Sequence, residues 1–179
     1  ADIDRDGQLD FLLSHHGNGM GLYLSRPGLQ LARQDSCAFL PCSNIDQHGT
    51  AACDYDGDGD WDLYVTVGAD RGEGAGPNEM WMLGDDGKYT NRLPAKHVMA
   101  DALGRGRGAI WVRLDDDRYP ELVVLNFQTP SRLFRYNGKQ WRDDSRGVNP
   151  YLVANSPRAD FKEGRGLYFS IAASGDLDR

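Results

Sequence analysis

Apolar residues gather in short runs without strict alternation: Phe11 to Leu13, Leu63 to Val67 and Leu122 to Leu125. Runs this short, lacking a two-residue period, predict inner strands buried on both faces. Each is followed by an aromatic-centred strand, Leu22-Tyr23-Leu24, Met80-Trp81-Met82 or Leu133-Phe134-Arg135, then by a Gly-led turn and a strand ending near Leu31, Tyr89 or Trp141. A further strand precedes two of the inner ones, at His48 to Cys53 and Gly106 to Val112, and it is rich in small residues. Four strands per unit result, with the aromatics at 23, 81 and 134 as core between neighbouring units.

Between the first two strands of each unit lies an acidic loop. Asp2-Ile-Asp4-Arg5-Asp6-Gly7-Gln8-Leu-Asp10 recurs as Asp54-Tyr-Asp56-Gly57-Asp58-Gly59-Asp60-Trp-Asp62 and, altered, as Arg113-Leu-Asp115-Asp-Asp117-Arg118-Tyr-Pro-Glu121. A fourth copy begins at Asp176-Leu-Asp178. The starting positions are 52, 59 and 63 residues apart, giving approximate repeats 1–53, 54–112 and 113–175 and the start of another at 176–179. A four-stranded unit at this period predicts an all-β chain of propeller blades, each a four-stranded antiparallel sheet, about three in number. An irregular β-sandwich with accidental acidic turns does not explain three copies in register.

Composition supports turns over helices. The 179 residues hold 23 Asp against 4 Glu, with 22 Gly and 8 Pro, and Asp, Gly and Pro all favour loops. Residues 1–90 carry a net charge of −11 and residues 91–179 a net charge of +4, within a total of −7. An acidic chain whose basic groups are spread among strands argues against nucleic-acid binding. No apolar run approaches the roughly 18 residues that cross a bilayer, so no membrane span is expected. Cys37 and Cys42, separated by Ala-Phe-Leu-Pro, are candidates for a disulfide in an oxidising compartment, or for unpaired thiols in a reducing one.

Alternate side chains of a tight DxDxDGxxD loop converge, which suits a hard cation seeking six to eight oxygens, and Ca2+ is the natural candidate. The expected ligands are the carboxylates of Asp2, Asp4, Asp6 and Asp10 with the Gln8 carbonyl, and those of Asp54, Asp56, Asp58 and Asp62 with the Asp60 carbonyl. An EF-hand is excluded, since Leu13 or Val65 stands where its Glu belongs and β runs flank the loop. In the third loop Arg113 occupies the first ligand position and Arg118 replaces the glycine. Asp115, Asp117 and Glu121 are therefore weak or degenerate ligands, with Arg113 expected to stand in for the metal. Asp176 and Asp178 alone cannot hold calcium tightly.

These residues, with His48-Gly49-Thr50, Asn78-Glu-Met-Trp81 and Gly106-Arg-Gly108-Ala-Ile-Trp, resemble the FG-GAP or VCBS type of β-propeller repeat. That repeat is found in integrin α-subunit propellers and in secreted proteins similar to cartilage acidic protein and UnbV. The resemblance implies a larger propeller of about seven blades, calcium in the loop joining the first two strands of a blade, an extracellular or periplasmic location, and adhesion or ligand binding. The functional expectation is a calcium-binding scaffold that recognises a protein or glycan through loops away from the metal, the longer segments 68–77, 92–105 and 143–163 being candidates. Two alternatives stand: a structural subunit of an extracellular assembly whose open blade edges meet neighbouring chains, and a propeller-type polysaccharide lyase or hydrolase. No catalytic constellation is evident for the latter: His15-His16, His48 and His97 have no nucleophile partner in the sequence.

Overall fold

The structure, a computed structural model, describes residues 1–15, 19–28, 30–34, 46–68, 74–127 and 129–148. Among these residues, eleven strands form three antiparallel sheets, arranged as blades. The first comprises β1 (Phe11–His15), β2 (Gly19–Arg26) and β3 (Gln30–Arg33), in that order. The second comprises β4 (Gln47–Cys53), β5 (Asp62–Val67), β6 (Glu79–Leu83) and β7 (Tyr89–Asn91). The third repeats this plan with β8 (Gly106–Val112), β9 (Glu121–Asn126), β10 (Arg132–Tyr136) and β11 (Trp141–Asp143). The second and third acidic loops join the first two strands of their sheets and precede the inner strands β5 and β9, while the first precedes β1, at the edge of its sheet. Among the described residues, no helix is long and apolar enough to cross a membrane.

Register makes the three sheets comparable position by position. Phe11 pairs with Tyr23, Leu63 with Trp81 and Leu122 with Phe134, so these pairs are structural equivalents. One apolar cluster, holding Leu63, Val65 and Trp81, packs the second sheet onto Met20 of the first. Another packs Leu122, Val124 and Phe134 of the third onto Tyr64, Met80 and Met82 of the second. The opening strands β4 and β8 run so close that a Cβ on Gly49 would lie 2.6 Å from the Gly108 Cα. The small residues in both opening segments have this approach as their cause, and both strands carry a register irregularity there.

One expectation needs correction, and one candidate loop is anchored. β5 is buried throughout and β9 nearly so, but β1 is not: Phe11 is 53% and Leu13 47% exposed, where their equivalents Leu63, Val65, Leu122 and Val124 are at most 1% exposed. The reason is positional, since no described sheet packs on that face of β1. Segment 92–105 is anchored at its centre, while Arg92, Lys96 and Leu103 stay exposed. It forms a 3-10 turn, Val98–Ala100, whose Met99 and Ala100 are fully buried, and it is tied down by Tyr64 Oη donating to the Met99 carbonyl (2.6 Å) and Asn78 N donating to that of Ala100 (2.7 Å).

Candidate metal centres

In the second loop, short side chains fold the backbone around themselves. Asp54 accepts from the amides of Gly57 (2.7 Å) and Gly59 (3.2 Å), Asp56 from that of Asp58 (3.3 Å), and Asp58 from that of Asp60 (2.8 Å). Gly57 and Gly59 sit at φ of 80° and 90°, a region that costs a side chain energy. The turn gathers one oxygen each from Asp54, Asp56 and Asp58 within 4.8 Å of one another. That limit is about twice a calcium–oxygen bond of roughly 2.3–2.6 Å, so an all-oxygen set of this span fits a calcium ion. Among the described residues, no Lys or Arg pairs with these three carboxylates.

The first loop repeats the geometry with one intruding cation. Asp2 accepts from the amides of Asp6 (3.1 Å) and Gly7 (2.9 Å), and Asp2, Asp4 and Asp6 form the corresponding trio. Arg26, at the end of β2, places Nη1 3.0 Å from Asp4 and 3.4 Å from Asp6. Two of the expected backbone ligands use their side chains otherwise: Gln8 donates to Asp6 (3.1 Å), and Asp60 pairs with Arg5 of the first loop.

Asp115, Asp117 and Glu121 also converge, but a guanidinium already pairs with two of them. It is not the expected one. Arg113 donates to the Arg118 carbonyl (3.2 Å), whereas Arg135 of β10 pairs with Asp115, with Glu121 (3.3 Å) and with Asp144 (3.3 Å). Register explains the correction: Arg135 occupies the position of Leu24 and Met82, on the strand beside the loop. No residue of the third loop has a positive φ, so the turn closes without the glycine that Arg118 replaces.

The fourth acid of each loop lies apart from the carboxylate trios in the first two cases. Asp10 accepts from the amides of Ile3 (2.7 Å) and Ser25 (2.9 Å), and Asp62 from those of Tyr55 (2.9 Å) and Leu83 (3.2 Å). Glu121 accepts from Leu114 (2.8 Å) seven residues back, as the other two do, and gives its second oxygen to Arg135. All three are buried, at 8%, 1% and 2% exposure. Each is therefore a buckle that satisfies an amide of the loop and a donor on the next strand, a role the sequence does not distinguish from metal ligation. Burial raises the Asp62 carboxyl above its ordinary value against these two amide donors, and Asp56 and Asp58 push it further up.

Of the remaining candidates, Cys37, Cys42, Asp176 and Asp178 lie outside the described residues. Cys53 is a free, half-buried thiol whose ionisation is strongly disfavoured by burial and then by Asp62, Asp54 and Asp56. His48 Nε2 lies 3.0 Å from Asp46, and His97 Nδ1 accepts from the Met99 amide at the start of the 3-10 turn, both structural placements.

Stacked antiparallel sheets, each entered through an acidic loop, define an array of β-propeller blades. Residues 2–65 match the model of the FG-GAP-like repeat, a stretch that contains the first two acidic loops and ends inside β5. Over those residues the resemblance drawn from the sequence holds. No curated protein is significantly similar to the chain.

Proposed function

We propose that this chain is a calcium-stabilised blade array serving as an extracellular or periplasmic recognition scaffold for a protein or glycan. The observation that carries the proposal is the second loop, where among the described residues no Lys or Arg pairs with the three convergent carboxylates, Arg5 pairing instead with the neighbouring Asp60. Coulomb repulsion among them favours a bound divalent ion. Exposed carboxylate sites of this kind fit the weak calcium affinities of extracellular modules, which suits a calcium-rich compartment. The open apolar face of β1 favours a second reading beside it, in which another sheet of the same kind packs on Phe11 and Leu13 in a longer array or an assembly.

Calorimetric titration of the metal-free chain with calcium tests the main reading. Saturation at about 100 times Kd stabilises the native state by about 2.7 kcal/mol, which corresponds to a rise in Tm of about 5–10 °C for a chain of this size. Asp58→Ala should abolish binding at the second loop and leave the weaker first loop. An unchanged melting transition after verified metal removal would overturn the proposal.

A further inference from the structure

The second and third sheets part at the acidic-loop end to leave a cleft of about 860 Å³, within the range of about 300–1,000 Å³ typical of small-ligand sites. Its walls are unusually aromatic. Trp141 stacks on Tyr55 (centroids 6.0 Å apart, planes 13° apart) and touches Trp111 (5.9 Å) and Tyr136 (5.4 Å), while Tyr136 meets Tyr119 edge-on (4.9 Å). All five rings are half-buried, showing part of their surface to the cleft rather than closing it. Two lysines line the same space from different elements, Lys96 from the segment before the 3-10 turn and Lys139 from the β10–β11 turn, beside Arg118, whose guanidinium lies 4.7 Å from the Tyr119 ring. Both lysines are exposed, and neither has an ion-pair partner among the described residues.

We propose that this cleft binds an acidic pyranose sugar, such as a uronic-acid unit of a polysaccharide. The inference rests on the scaffold reading and names its ligand class and site, on the calcium-loop side rather than away from it. Aromatic rings present flat apolar faces to the C–H face of a pyranose, and two ammonium groups without internal partners supply the charge for its carboxylate. Gln140, also on the lining, offers polar atoms to the hydroxyls. A cationic ligand would meet the lysines. A nucleotide offers a stacking face and an anion too, so AMP is the competing ligand in the test.

Titration of the calcium-loaded chain with a galacturonic-acid trisaccharide, a neutral galactose trisaccharide and AMP, followed by tryptophan fluorescence and calorimetry, tests the proposal. Expected are saturable binding of the uronate with a fluorescence change, at least tenfold weaker binding of the neutral sugar, and still weaker binding of AMP. The double variant Lys96→Gln/Lys139→Gln should lose at least tenfold in uronate affinity with Tm and calcium stoichiometry unchanged, because both side chains are exposed. The proposal is overturned if the uronate does not bind while calcium does, if the neutral sugar or AMP binds as well, or if the double variant keeps full affinity. Absence of a calcium isotherm is a separate result and counts against the scaffold reading.

Discussion

The second and third acidic loops occupy equivalent places in equivalent blades, yet they answer one electrostatic problem in opposite ways. Each crowds three carboxylates at the entrance to an inner strand. In the third blade a guanidinium reaches in from β10 and spans Asp115, Glu121 and Asp144, so the blade carries its own counter-charge. In the second blade the equivalent residue is Met82, which lies in the apolar core, and among the described residues no Lys or Arg pairs with Asp54, Asp56 or Asp58, Arg5 pairing instead with Asp60. One strand position therefore separates the third blade, which carries its own counter-charge on β10, from the second, for which we propose an external cation. The first blade lies between them, with Leu24 at that position and Arg26 reaching two of its carboxylates.

Exchanging the deciding residue should give the largest effect. Arg135→Met leaves Glu121, only 2% exposed, without its cation, and should cost about 2–4 kcal/mol, toward the low end for a broken buried pair because Arg135 is partly solvated. Calcium should restore part of that loss in the variant and have no effect on the third loop of the unmodified chain. Melting curves with and without calcium measure both. A variant as stable as the parent in EDTA would show that Arg135 is not the counter-charge of that loop.

Asp62→Asn separates the buckle from the metal site in the second blade. Asparagine keeps one acceptor for Tyr55 or Leu83 and turns an amide donor toward the other, at a cost of about 2 kcal/mol. If Asp62 acts as a buckle, calcium stoichiometry should survive while Tm falls in both the presence and the absence of calcium. Loss of the calcium site with little change in the metal-free Tm would instead make Asp62 a ligand. Denaturant unfolding with parallel calcium titrations distinguishes the two.

Much of this contrast was legible in the sequence, because blades repeat and repetition exposes equivalence. The acidic spacing, the apolar inner strands and the aromatic centres at 81 and 134 all lie where the periodicity puts them. Arg135 was missed although its signal was present: the aligned triplets Leu22-Tyr23-Leu24, Met80-Trp81-Met82 and Leu133-Phe134-Arg135 differ in charge at their last position alone. Arg113 attracted the assignment because it replaces a ligand within the loop, whereas the decisive contact comes from a strand 20 residues from Asp115. The buckle was not legible, since a carboxylate suits an amide and a metal equally. Nor was the aromatic cleft, assembled from residues between Tyr55 and Trp141 that only the packing of two sheets brings together.

The smallest effect lies further along the same strands. Glu79 in β6 and Arg132 in β10 are register equivalents, paired with Val65 and Val124. Arg132 is held by Asp101 (3.1 Å) and Asp143 (3.3 Å), an ion-paired solution, while Glu79 is buried with neutral partners. One oxygen, Oε2, accepts from both Gln47 Nε2 (2.7 Å) and Trp81 Nε1 (2.9 Å). Burial raises its carboxyl above the ordinary 4.5, and these two hydrogen bonds only partly offset the rise. Native Glu79 therefore holds its proton to higher pH than the unfolded chain does, so this residue's contribution to stability is fully present below about pH 4.5 and is lost as pH rises through its folded value. Glu79→Gln keeps a single oxygen for both donors and removes the ionisation. The variant should melt about 1–3 °C above the parent at pH 7, with the difference shrinking toward zero below pH 4.5. A constant difference between the two proteins from pH 4 to 8 would mean that Glu79 ionises as freely in the blade as in water, and that the second sheet tolerates a buried charge without the ion pair the third sheet uses.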